Sequence, residues 1–404
     1  MKSIEPNQSM HTRLQQTQQL LADFPQPDSD ARFHSEALIA ILVSQIEAAG
    51  GAIAFDEYMR RTLYTPGLGY YSGGSRKFGA EGDFITAPEI SPLFSQCLAR
   101  QCAQVLRAID KAEILEFGAG SGAMAAELLL ELESLQQLPA RYQILELSAE
   151  LRERQQQTLQ QRAPHLFPLV VWLDSLPEAV NGVILANEVL DAMPVHRICK
   201  QQGHWLEQYV GWSGERFQWQ SGPLTEAIPA PMLSVLSEMP DGYCTELAVE
   251  ARQWVGQLGQ CLQHGLILLI DYGFPRHEFY HPQRSDGTLM CHYRHRAHDD
   301  PFVYPGLQDI TAHVDFTAVA EAALEAELSV YGYSSQAMFL LGCGLTDMVE
   351  GVEDDAERIR LAQQVKTLTL PSEMGELFKV MALGSGLVET ELMGFAIHDM
   401  RGKL

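Results

Sequence analysis

The 404-residue sequence contains no apolar run of the eighteen or so residues that a membrane-spanning helix needs, so insertion into a membrane is not expected. Its first thirty residues, MKSIEPNQSMHTRLQQTQQLLADFPQPDSD, lack a basic region followed by an apolar one, which excludes a recognisable export signal. They are rich in Gln and short of Arg, which argues against a mitochondrial transit peptide and for a loosely ordered leader. Positive charge is scarce. The 28 Lys and Arg against 52 Asp and Glu leave a formal charge of −24, which excludes a general binder of nucleic-acid phosphates. The seven cysteines are odd in number and include no CxxC pair, so each is read as a small buried hydrophobe in a reducing compartment. These absences together lead us to expect a cytoplasmic protein.

What is present is an alternation of strands and helices. DARFHSEALIAILVSQIEAA carries apolar residues at helical spacing and ends at Gly50 and Gly51, and FDEYMRRTLY follows as a second short helix. TPGLGYYSGGSRKFGAEGDFITAPEISP then breaks all periodicity, as a long functional loop does, before LFSQCLARQCAQVLRAI resumes as a helix. From EILEF onward, YQILEL, LVVWLD, GVILANEV and LILLIDY read as strands separated by helices, which predicts an α/β fold with a mostly parallel central sheet covered on both faces. VHRICKQQGHWLEQYVGWSGERFQWQ, with Gly turns between alternating segments, predicts an inserted antiparallel β-meander. TELAVEARQWVGQLGQCLQHG predicts one helix, and SVYGYSSQAMFLL and FKVMALG predict two final strands. The expected organisation is a flexible leader over residues 1–28, N-terminal helices and a substrate or cofactor loop over 29–110, and a Rossmann-like domain over 111–404. Insertions are expected at about 195–243 and 274–316.

The stretch EILEFGAGSGAM places Gly118, Gly120 and Gly122 directly after a strand, where missing Cβ atoms permit a tight turn and close approach of a ligand. Gly118-x-Gly120-x-x-Ala123 also satisfies the dinucleotide fingerprint, so spacing alone leaves NAD and FAD open. Charge discriminates between the candidates. Glu116 sits two residues before the first glycine and Glu146 near the end of the next strand; a carboxylate in the first place repels a diphosphate and attracts a sulfonium. S-adenosylmethionine suits both acids, with Glu146 holding ribose hydroxyls and Trp172 and Asp174 at the third strand's end available to line an adenine pocket.

TPGLGYYS, GDFITAPEIS, LEFGAGSG, ANEVLDAMPV, LIDYG and GTLMCHYRHRAHDDPFVYPGLQDITAHVDF carry a family likeness from Phe55 to Phe316. The chain resembles the class I S-adenosylmethionine-dependent methyltransferases and, among them, the MidA-like family, which includes a mitochondrial complex I assembly factor that symmetrically dimethylates an arginine. The resemblance implies a Rossmann-like methyltransferase fold, with Glu116, Gly118, Gly120 and Glu146 holding the cofactor and Asn187, Glu188 and Asp191 facing the substrate. It implies a protein partner bearing an arginine, such as a respiratory-complex subunit. The NPPY-type motif of many nucleic-acid and amide-nitrogen methyltransferases is absent.

The residue chemistry leads to arginine separately. A guanidinium is planar, permanently charged and rich in donors that match carboxylates, so Glu188 and Asp191, with Glu89 or Asp83 from the loop, are candidates to hold it. Thr86 and Ser91 belong to a Pro-containing segment placed to close over the cofactor, while Tyr64, Tyr70 and Tyr71 are read as loop anchors. Cys291, His292, His295 and His298 have zinc-like spacing, but Arg294 and Arg296 stand among them and no second ligand pair follows, so no metal is expected there. His313 and Asp315 are candidate proton acceptors or structural residues. Two other functions stay open at this level: a cofactor-binding escort without catalysis and a dinucleotide oxidoreductase.

Overall fold

The computed structural model describes residues 24–73, 86–350, 354–387 and 391–404. Asp83 and the leader up to residue 23 lie outside them. Helix α1 (Ser29–Ala48) starts at Asp28, whose carboxylate accepts the Ala31 N–H at 2.9 Å, and buries Leu38, Leu42 and Ile46 on one face. Strand β1 (Ala52–Ala54), α2 (Phe55–Tyr64), α3 (Ala87–Ile90) and α4 (Pro92–Leu106) follow, the last capped by the Ser91 hydroxyl on the Leu93 N–H. The central layer then begins with β2 (Glu113–Phe117), α5 (Ala123–Ser134), β3 (Tyr142–Leu145), α6 (Ala149–Arg162), β4 (Val170–Leu173) and β5 (Val180–Asn187).

Three antiparallel strands come next, β6 (His196–Gln201), β7 (His204–Trp212) and β8 (Phe217–Gly222), then α7 (Ala230–Leu236) and β9 (Cys244–Leu247). The chain returns to the main sheet through α8 (Val249–Cys261) and β10 (Leu262–Phe274). After α9 (Arg276–Phe279), β11 (Met290–Tyr293), β12 (Arg296–His298) and β13 (Asp309–Thr311) form a small sheet, and β14 (Val314–Asp315) pairs with the end of β10. Helix α10 (Phe316–Glu325), β15 (Ser329–Ser335), α11 (Gln336–Gly342), α12 (Leu345–Glu350), α13 (Asp355–Thr369) and β16 (Phe378–Ser385) complete it.

The main sheet runs β15-β16-β10-β5-β2-β3-β4 with β14 beside β10. The links from β10 to β4 are parallel, and β16 is antiparallel to both neighbours. This is the expected α/β, Rossmann-like architecture. Period-two alternation sends Val183, Leu185, Leu266, Leu268 and Ile270 towards α4 and α5, and Ile184, Ala186, Ile267 and Leu269 towards α8 and α10. Each such fully buried Val, Leu or Ile stabilises the fold by about 1.5–3 kcal/mol before entropy is charged against it.

The meander is present, but its sheet is larger than the sequence suggests: β7 also pairs with β1, and β6 with β9. The expected helix from Thr245 to Gly265 is corrected. Thr245 and Glu246 pair with Ile198 and Arg197 of β6, so edge pairing overrides helical propensity there, and the helix is confined to α8. SVYGYSSQAMFLL likewise turns from strand to helix at Ser335. Cys199 and Cys244, opposite each other on β6 and β9, form a disulfide, a correction to the reading of every cysteine as a free thiol. Cys97, Cys102, Cys261, Cys291 and Cys343 are free and buried. No helix among the described residues is long and apolar enough to cross a membrane.

Candidate active site

The C-terminal ends of β2, β3, β4, β5 and β10 open onto one cleft of ≈ 1480 Å³. That exceeds the usual 300–1,000 Å³ of a small-ligand site and leaves room for two reactants. Gly118, Gly120 and Gly122 line or support it with φ of 61°, 53° and 83°, values that an L side chain adopts only under strain. A Cβ on Gly120 would meet no atom within 4 Å, so its backbone is open to the cleft, whereas one on Gly122 would press on Gln155 at 3.0 Å. Gly118 and Gly120 therefore leave backbone open to the cleft, and Gly122 serves packing.

Among the charged side chains on the walls, carboxylates outnumber cations. Glu116 is buried and accepts the Tyr142 hydroxyl at 2.7 Å; burial, and then the charge of Glu146, push its pKa up to about 7 against the hydrogen bond's opposing pull. Glu146 accepts the Ser148 N–H at 2.9 Å and the Gln155 side-chain amide at 3.0 Å, and burial still raises it. Thr86 lies on the wall at the start of α3, and Glu89 on the same helix accepts the hydroxyl of Ser121 from the glycine turn. Asp174 stands at the rim: its side chain is 91% exposed and pairs with Arg152 at 2.7 Å. Trp172 turns inward to Gln155 and Phe167 and does not line the cleft.

At the end of β5, Glu188 takes φ of 54°, an uncommon conformation for a residue with a Cβ. The turn is held by Asp271 of β10, which accepts the N–H groups of Leu190 and Asp191 at 3.0 and 3.2 Å. Asn187 donates to Glu188 at 3.1 Å. Burial, then the charge of Asp191, raise Glu188 to about 8; burial raises Asp191 to about 6 and lifts Asp271 well above the usual carboxylate range. The Oδ1 atoms of Asn187 and Asp191 are buried without a hydrogen-bond donor. Among the described residues, the lysine and arginine side chains on the cleft wall are Arg60 and Arg61, and both are paired, Arg60 bidentately with Glu250 at 3.0 and 2.8 Å and Arg61 with Glu57 at 2.5 Å. This excess of acidic side chains suits a cationic ligand.

Residues 97–334 match the family model described as "Putative S-adenosyl-L-methionine-dependent methyltransferase". The chain belongs to this family. A crystal structure of a superfamily member from Burkholderia thailandensis, bound to S-adenosyl-homocysteine, is 48% identical with a TM-score of 0.91, the match covering 95% of this chain and 100% of that one. The mitochondrial protein arginine methyltransferase NDUFAF7 homolog of Drosophila melanogaster is 28% identical over 91% of this chain and 90% of its own. The human mitochondrial protein arginine methyltransferase NDUFAF7 is 28% identical over 82% and 80%. The protein is thus an S-adenosyl-L-methionine-dependent methyltransferase, and the oxidoreductase reading is withdrawn. The expected cytoplasmic placement is corrected too, because these curated relatives are named mitochondrial.

Other sequence candidates fall outside the methyltransferase cleft or change meaning in it. Ser91 is the cap of α4 and bonds Gln364 at 2.8 Å. His313 lines the cleft stacked on Phe274 at 5.4 Å, and burial lowers it to about 4, so it is neutral at physiological pH; Asp315 instead caps α10 and faces Arg276. They form no proton-accepting pair. Cys291 and His298 are register partners on one face, whereas His292 lies on the opposite face of β11 in the cleft wall and His295 sits at the turn, so the four do not converge. Elsewhere His196 Nδ1 lies 2.8 Å from Glu207 and 3.6 Å from Asp56, and these acids raise its pKa against burial, as in an ion triad.

Sequence reasoning missed Gln155, one of many polar residues in AELRERQQQTLQQR. It is fully buried, donates to Gly120 O at 3.1 Å and to Glu146, and accepts the Trp172 N–H at 2.9 Å. The only sequence signal was its i+4 relation to Leu151 and Leu159, which puts it on the buried face of α6. Gln155→Leu is expected to weaken S-adenosyl-homocysteine binding about tenfold or more, since it strands buried partners at about 1–3 kcal/mol each. Calorimetry that returns a parental Kd sinks the assignment.

Proposed function

We propose that the enzyme transfers the methyl group of S-adenosyl-L-methionine to a guanidinium nitrogen of an arginine in a protein, one bearing on respiratory complexes among the candidates. The carrying observation is the pair of donorless acceptors, Asn187 Oδ1 and Asp191 Oδ1, flanking Glu188 in a wall whose cations are already paired. Buried acceptors of this kind call for a ligand rich in N–H donors, and charged donors gain most. A guanidinium has five.

In this reading Glu116, Glu146 and the backbone of Gly118, Gly120 and Gly122 hold the cofactor, Thr86 covers it, and Asp174 guards the rim. Glu116 fits a positive group, because its raised pKa drops back when a cation arrives beside it. The bound cofactor supplies an activated methyl group. Glu188, Asp191 and Asn187 are the catalytic group: they grip the guanidinium, draw its positive charge to the held nitrogens and aim the remaining one. Alignment of this kind removes about 7–11 kcal/mol of a barrier. The nitrogen forms its bond to carbon as the methyl–sulfur bond breaks with its electron pair left on sulfur. One N–H proton leaves to a neighbouring carboxylate and then to water. Glu188, with a pKa of about 8 before substrate arrives, is suited to accept it.

The test is incubation of the enzyme and radiolabelled cofactor with extract proteins from cells lacking it, followed by mass spectrometry of the labelled site. Methylarginine is expected. Label confined to lysine, to another side chain or to small molecules overturns the reading.

A further inference from the structure

The grip described so far comes from one side, the β5 corner, and a planar cation held on one edge alone swings about it. We propose that the opposite side of the acceptor subsite is built by segments outside the central fold, with Asp309 of β13 as the second carboxylate of the guanidinium clamp and Tyr71 as the residue that positions it. This rests on the arginine reading and adds to it the residues that select a planar, doubly held cation.

Asp309 is 3% exposed, lines the same cleft as Glu188 and accepts the Tyr71 hydroxyl at 2.9 Å on Oδ1. The Tyr71 ring stacks on Tyr64 with centroids 5.5 Å apart and planes 22° from parallel. Tyr64 in turn donates its hydroxyl to Ala192 O at 3.0 Å, which ties this aromatic wall directly to the corner carrying Glu188 and Asp191. The two carboxylates feel one another: Asp309 is among the charges that raise Glu188. Burial and Asp309 also keep both tyrosines protonated, so the Tyr71 hydroxyl remains a donor. A cation bound between two carboxylates lowers their mutual repulsion. A guanidinium answers the arrangement better than an ammonium. Its fork presents parallel N–H pairs to carboxylates on two edges, and its flat face suits the tyrosine pair.

Asp309→Asn keeps the shape and the acceptor to Tyr71 but removes the charge; Tyr71→Phe keeps the ring and removes the hydroxyl. Steady-state kinetics of the full-length variants with an arginine peptide, cofactor affinity by calorimetry and thermal melting are measured together. For Asp309→Asn the KM for peptide is expected to rise about ten- to hundredfold, as for loss of a hydrogen bond between charged groups, with kcat changed less than about threefold and cofactor affinity and melting unchanged. Tyr71→Phe is expected to raise KM about three- to tenfold and to move the pH profile of kcat/KM. A KM within about twofold of the parent for Asp309→Asn overturns the proposal. So does loss of cofactor affinity equal to the loss of peptide affinity. Should Asp309→Asn fail to fold, Tyr71→Phe decides by the same split, an unchanged KM overturning it. Failure of the arginine reading shows separately, as methyl label on another residue in the parent enzyme.

Discussion

Glu188→Gln is expected to lower methyl transfer by about 100- to 1000-fold while cofactor affinity stays within a few-fold, because the isosteric amide keeps the turn and loses the charge that orients and deprotonates the acceptor. The pH dependence carries the same signature. Burial and Asp191 set the Glu188 pKa at about 8 in the free enzyme, and a bound cation favours its charged form. Binding therefore releases a proton, and kcat/KM in the parent should fall about tenfold per unit as pH drops below about 8. In Glu188→Gln that acid limb should vanish. Asp191 rises only to about 6, so loss of the limb near pH 8 on one substitution is the decisive readout. A variant with parental turnover excludes Glu188 from the chemistry. A variant that loses turnover but retains a parental pH limb leaves Glu188 without its proposed proton.

Gly182→Ala is expected to prevent recovery of folded protein. Gly182 lies in the middle strand of the sheet with φ of 138°, and a Cβ there would sit 2.1 Å from the Glu113 carbonyl oxygen. Gly265 opposite has φ of 143°, and its Cβ would fall 1.9 Å from Gly182 O. The strand backbones have no room to part without opening the β2-β5-β10 layer, and strain of this class, above about 4 kcal/mol, consumes much of the 5–15 kcal/mol that stabilises a typical domain. Circular dichroism of the purified variant checks it; a denaturation midpoint equal to the parent's refutes the packing argument.

These two positions show where the sequence is legible and where it is not. The glycine turn, the two strand-end acids and the ANEVLD corner announce themselves, because each packs its chemistry into a few adjacent residues after an apolar strand. Gly182 in AVNGVILAN reads as a simple weakening of a strand; only the neighbouring backbones of Glu113 and Gly265 reveal why a side chain is barred. Gln155 and Asp309 were hidden for a related reason. Their partners are distant in sequence, Gly120 being 35 residues away from the first and Tyr71 238 residues from the second, so local pattern marks at most the burial of Gln155 and not its role. The edge strand β9 was misread because its residues gain their pairing from β6, some fifty residues earlier, and not from their own periodicity.

Glu116, Glu146 and the glycine turn belong to the parallel core, whereas Tyr64, Tyr71 and Asp309 arrive from a preceding helix and loop and from a later hairpin sheet. The two halves touch where the Tyr64 hydroxyl donates to Ala192 O and the Ala312 N–H to Asp191 O. In the proposed reading, substitutions in the outer pieces bear first on which acceptor is held and only then on the cofactor, so substrate choice and methyl supply can change separately.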